Sequence, residues 1–125
     1  MAQPRTIEQG RAKIAYEFAK DGTNDGKNKE YKNKVKSFPM MIKTNGLGAA
    51  IAFINGKKDK DWTKIYSQLE EYLKQNELND LGNNDSLVSY LTQIDSTSYR
   101  AITVEVMALF TWLRRFAEGF DNKND

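Results

Sequence analysis

Between Ala101 and Leu113 the chain carries a single charge, Glu105. A segment that is apolar on nearly every side is stable only as a central, buried helix, and the rest of the chain must then be arranged to cover it. The spacing predicts this helix over 99–118. One narrow line interrupts its apolar surface. Arg100, Thr103, Met107, Thr111 and Arg114 follow one another at three, four, four and three residues, which places the two arginines on nearly the same face, about 21 Å apart.

A second constraint lies in MMIKTNGLGAAIAFIN, residues 40–55, where a polar turn with two glycines separates two apolar runs. Asn45 is a good N-cap, and Gly46 and Gly48 admit backbone angles or close contacts that a side chain forbids. Leu47, Ala50, Ile51 and Ile54 then recur at helical spacing. By local physics alone, this is a tight helix-to-helix junction inside a core.

The remaining elements fall into place around these two. A helix over 6–19 starts at Thr6, with Gln9 completing a capping box, and offers Ile7, Ile14, Ala15 and Phe18 as its buried stripe. Gly10 weakens that helix and predicts a close approach of another backbone. Residues 21–28, DGTNDGKN, contain no apolar side chain and read as a solvated loop. A second helix, 29–43, carries Tyr31, Val35, Phe38 and Ile42 on one stripe and Lys29, Lys32, Lys36 and Lys43 on the next. Pro39 falls inside it and predicts a break or kink near Ser37 and Phe38. The third helix is 46–55. The fourth, 62–75, has the clearest periodicity (Trp62, Ile65, Tyr66, Leu69, Tyr72, Leu73), with Asp61 as cap and Glu70 and Lys74 as an exposed i,i+4 pair. Residues 76–85 are a polar connection, 86–94 a short helix capped by Asp85, 95–98 a break, and DNKND a polar tail. No segment alternates with period two. The fold class is therefore all-α, a single compact bundle of about six helices.

Composition narrows the function. The 125 residues contain no cysteine and no histidine, which excludes Ser/His and Cys/His nucleophile pairs, an imidazole base and a zinc site of the usual kind. No paired acidic motif suggests magnesium. An enzyme is disfavoured, no cofactor is called for, and neither a signal sequence nor a membrane span is present in the chain, pointing to a soluble cytoplasmic protein. The net charge of +2 conceals an asymmetry: residues 27–64 hold ten lysines against Glu30, Asp59 and Asp61, whereas 65–125 hold five basic and ten acidic side chains. A segregated basic half suggests a polyanionic partner or an acidic neighbouring subunit.

Three stretches taken together, MIKTNGLGAAIAFI (41–54), W..IY..L (62–69) and YRAITVEVMALFTWLRRFAEG (99–119), resemble the small helical subunit of the type III-B CRISPR effector, the fifth protein of the Cmr module. Asn45, Gly46, Leu47 and Gly48 form the turn of that pattern. The resemblance implies a noncatalytic ribonucleoprotein subunit, several copies of which stack along backbone subunits that hold the crRNA, lining the channel where target RNA pairs with it. Its partners would be the other Cmr subunits, further copies of itself, crRNA and target RNA.

Each candidate residue has a structural alternative. Lys29, Lys32, Lys36 and the nearby Lys27 and Lys34 are phosphate contacts or an ordinary solvated face. Lys43 contacts RNA or neutralises helix C-terminal carbonyls. Arg100, Arg114 and Arg115 contribute to an RNA-facing patch or pair with Glu105, Glu118 or a helix terminus. Trp62, Tyr66, Trp112 and Phe116 read as core rather than as stacking platforms. Two further functions stay open: a scaffold that binds protein only, and a helix-turn-helix DNA-binding protein, although LGAAIAFIN offers few polar side chains to base edges.

Overall fold

The computed structural model describes residues 7–75 and 86–123. Among these residues six helices follow in order: α1 (Ile7–Gly22), α2 (Lys29–Asn45), α3 (Leu47–Asn55), α4 (Lys60–Gln75), α5 (Leu87–Gln93) and α6 (Ser96–Lys123). The expected N-cap Thr6, the connection 76–85 and the cap Asp85 lie outside the described residues.

α6 is the spine, about 42 Å long at 1.5 Å per residue; α1 and α2 pack along it, and α4 lies against α1, α2 and α3. Ile102, Val106, Leu109, Phe110, Leu113 and Ala117 form its buried side. Phe110 meets Phe38 of α2 at 5.1 Å, and Phe38 meets Trp62 of α4 at 6.1 Å, an aromatic centre shared by three helices. The expected stripes of α2 and α3 are buried throughout, and that of α4 is buried except for Tyr66, which is half-buried. One expectation for α6 fails. Its outer side is open, with Val104 68% exposed and Ala101 and Thr111 also exposed, because α1 and α2 pack on its other sides.

Pro39 does not break α2, which is one helix from Lys29 to Asn45. Interior proline costs about 3 kcal/mol, but the docking stripe Tyr31, Val35, Phe38 and Ile42 spans it, and burying four such side chains at roughly 1.5–3 kcal/mol each outweighs that cost. α2 ends on Asn45, so Asn45 is not a cap. Gly46, at φ 88° and ψ 159°, serves as both the C-cap of α2 and the N-cap of α3, a conformation that disfavours any side chain.

Residues 22–28 form an ordered turn, exposed at Asn24, Asp25 and Lys27 but buried at Gly22, Thr23 and Gly26. Buried Thr23 donates its hydroxyl to the Ala19 carbonyl (2.6 Å) and accepts from the Gly26 amide (3.1 Å), while Asn24, Asp25 and Gly26 take positive φ. Asn28 caps α2 by accepting from the Tyr31 amide and donates its side-chain amide to Asp61 at 2.7 Å. Asp61 is thus a buried partner, and Asp59 caps α4, accepting from the amides of Asp61 and Trp62. Ser86 caps α5. Glu70, expected to pair with Lys74, accepts from the Leu87 amide at 3.2 Å. A Cβ on Gly10 would meet nothing within 4 Å, so no backbone approaches it.

Two buried polar knots tie distant helices. Gln68 of α4 joins the Tyr31 hydroxyl of α2 to the Phe18 carbonyl of α1. Glu105 of α6 receives Arg11 of α1 through both Nη2 contacts at 3.0 Å and also accepts from the Tyr72 hydroxyl of α4. Burial and the neighbouring carboxylate push the Tyr72 phenol up to about 12, so it stays a proton donor in this knot.

Candidate nucleic-acid interface

The i,i+3/i+4 spacing puts Lys29, Lys32, Lys36 and Lys43 on one stripe of α2, spanning about 21 Å. Lys29, Lys36 and Lys43 are exposed, while Lys32 is half-buried. Lys34 turns the other way: its ammonium lies 3.6 Å from both Glu30 and Asp59 and 5.9 Å from the centre of the Trp62 ring.

α6 meets the C-terminal part of this stripe. Pro39 and Lys43 of α2 face Met107, Phe110, Thr111 and Arg114 of α6 across a cleft of about 170 Å³. The proline has no amide hydrogen to offer, and its ring forms an apolar wall there. Glu118 holds the cations loosely together, 3.4 Å from Arg114 Nε and 3.9 Å from Lys36 Nζ. Both pairs are largely exposed, so each is weak and exchangeable. Lys36, Lys43 and Arg114 thus share one face, a convergence that neither helix shows alone. The arrangement can neutralise a run of phosphates without reading bases.

The other two arginines lie apart. Arg115, next in sequence to Arg114, lines a hollow with Tyr16 and Phe120 on the α1 side of α6. Arg100 is exposed near the N-terminus of α6. It is not the partner of Glu105, which Arg11 and Tyr72 occupy; Arg114 does pair with Glu118, one of the two roles its spacing allows. Asn45 is exposed at the end of α2, and the turn after it is bound to α6, with the Gly48 amide donating to the Tyr99 hydroxyl at 2.6 Å.

The exposed face of α3 presents Ala49, Ala52 and Phe53, which offer no hydrogen bonds to base edges, and only Asn55 at its end adds an exposed polar side chain. Among the described residues no group of three or more acidic side chains is placed to hold a metal ion, and no helix is long and apolar enough to cross a membrane.

The family model of the CRISPR-associated protein Cas_Cmr5 matches residues 7–120. The chain belongs to the Cmr5 family. It is 25% identical over 115 residues to the CRISPR system Cmr subunit Cmr5 of Thermus thermophilus, covering 92% of this chain and 96% of that protein. A crystal structure of a CRISPR-associated Cmr5 family protein from the same organism superposes with a TM-score of 0.77 at 24% identity, over 94% of this chain and 98% of that one. The resemblance carried by residues 41–54, 62–69 and 99–119 is borne out, and so is the all-α class. In Cmr5 terms, the Gly48–Tyr99 bond joins the first of those stretches to the third.

Proposed function

We propose that this chain is the noncatalytic small subunit of the type III-B CRISPR Cmr ribonucleoprotein. Several copies stack along the backbone subunits that hold the crRNA, and they lend cations to the target RNA pairing with it. The match to the Cmr5 family over residues 7–120 carries this reading. The stripe of Lys29, Lys32, Lys36 and Lys43, meeting Arg114 across the α2/α6 cleft, supports it: a sequence-independent phosphate contact suits a channel that must accept any target. The lack of histidine and cysteine fits a supporting role, and no cofactor is required. The opposite charges of residues 27–64 and 65–125 suit head-to-tail stacking of copies.

The test is target-RNA affinity of the assembled complex carrying Lys36→Glu, Lys43→Glu and Arg114→Glu, measured across a salt series. Weaker binding is expected, with a salt slope shallower by about 0.7 for each phosphate that is no longer neutralised. Unchanged affinity with normal incorporation of the subunit would defeat the reading. A protein-only scaffold is the second reading, favoured by Glu118, which already engages Lys36 and Arg114. In that case the same variants lower incorporation rather than RNA affinity.

A further inference from the structure

On the side of α6 away from the cation cleft, α1 and α6 leave a groove open between them. Its floor is aromatic. Tyr16 meets Phe116 edge-on at 5.5 Å and Phe120 at 5.3 Å, and Trp112 stacks on Phe116 at 5.7 Å. Two adjoining hollows, of about 570 and 180 Å³, share Tyr16 and Phe116. Tyr16 is 44% exposed in this apolar setting. Lys13 and Lys20 stand along the α1 edge and Arg115 along the α6 edge, with Glu17 among them.

Gly119 opens the narrower hollow. It sits inside a 28-residue helix, where glycine is less favourable than alanine. A Cβ there would meet nothing within 4 Å, so packing does not require the glycine. Its smallness leaves the space beside Phe116 and Phe120 vacant.

We propose that this α1/α6 groove docks an amphipathic helix from a different protein chain, with bulky apolar side chains on its inner stripe and carboxylates along both edges. Gln9 to Lys20 line the groove over about 17 Å, three turns of helix, the length over which i, i+3/i+4 and i+7 anchors act together. The cations on both edges select the acidic flanks. Among the described residues, a second copy offers no exposed apolar face that fits. Apart from Tyr16, the exposed large apolar side chains among the described residues are Met40, Phe53 and Val104. Met40 stands between Lys36 and Lys43 at helical spacing, Lys57 Nζ lies 4.6 Å from the Phe53 ring centre, and Arg100 is one turn from Val104. Each would bring like charge to the groove. The inference is independent of the RNA reading, whose cations lie on α2 and on the other side of α6.

The test uses the full-length chain and two designed helical peptides with the same leucine stripe, one edged with glutamates and the other with lysines. Fluorescence anisotropy should show the acidic peptide binding at least about tenfold more tightly, with amide shifts at Ala12, Tyr16 and Phe116. Gly119→Leu should abolish binding without lowering Tm, and Lys13→Glu with Arg115→Glu should reverse the preference between peptides. Equal binding of the two peptides, binding of neither, or full binding by Gly119→Leu would overturn the proposal. In the complex purified from its host, Gly119→p-benzoylphenylalanine should photo-crosslink to a mapped acidic helical segment of another subunit. A crosslink to a second copy, to RNA or to nothing would equally overturn it.

Discussion

The Gly48 amide donates to the Tyr99 hydroxyl at 2.6 Å, across 51 positions of sequence. That amide belongs to the first turn of α3, where backbone donors have no partner inside the helix, and α3 has no side-chain cap to supply one. A tyrosine from the first turn of α6 takes over the capping role. A Cβ on Gly48 would lie 3.2 Å from the same hydroxyl, so the glycine is there for close approach.

Tyr99→Phe should therefore destabilise the chain by about 1–3 kcal/mol, the cost of leaving a part-buried donor unpaired. Gly48→Ala should also destabilise the wild type. In the Tyr99→Phe background the clash is gone, and Gly48→Ala should stabilise through helix propensity by up to about 1 kcal/mol. Urea denaturation of the four proteins gives the cycle, and simple additivity would sink this account.

At the Arg11–Glu105 pair, both side chains are about one-tenth exposed, at 11% and 10%. Arg11→Met removes the charge that offsets the buried carboxylate and should cost about 3–5 kcal/mol, whereas Arg11→Met with Glu105→Leu should recover part of the loss. Equilibrium unfolding checks both.

Alkaline pH probes the same knot. Tyr72 is raised from its ordinary 10 to about 12, first by burial and then by Glu105, so between those values the native state holds a proton that the unfolded chain has released. The contribution of Tyr72, up to roughly 2–3 kcal/mol, is intact below pH 10 and is lost as pH rises to about 12, beside that of Tyr31, whose phenol burial also raises. Tyr72→Phe should flatten the slope of unfolding free energy over that window.

Glu118→Gln frees Lys36 and Arg114 from their shared carboxylate. Stability should change by less than about 0.5 kcal/mol, as for most exposed pairs, while the affinity of the assembled complex for RNA rises at low salt. A fall in affinity would show that the carboxylate positions the cations rather than competing for them.

The parts of this fold legible in the sequence were those set by local periodicity. Tyr31, Val35, Phe38 and Ile42 mark one face of α2 whatever lies opposite, and the stripes of α3 and α4 follow the same logic. What escaped depended on partners far along the chain. Glu105 is claimed by Arg11, 94 positions away, and spacing on α6 alone could only offer it to Arg100 or Arg114. Residues 21–28 looked solvated because they are polar, but Thr23 and Asn28 spend that polarity on backbone groups and on Asp61. The apolar run in α6 overstated burial, since composition cannot tell a covered face from an open one such as that of Val104. For the candidate site, the two cation lines were readable on α2 and α6 separately. Their meeting at Lys43 and Arg114, and the departure of Arg115 to the opposite side, required the packing of one helix on the other.

The position of the spine has a consequence for synthesis. α1 buries its apolar face chiefly on α6, and α2 much of its own, although α6 is synthesised after both. Until it emerges, Ala15, Phe18, Val35 and Phe38 have no complete surface to meet, and the nascent chain exposes them to whatever binds greasy segments. The core therefore closes only once α6 has emerged, and a ribosome stalled before Ala117 should hold a protease-sensitive chain.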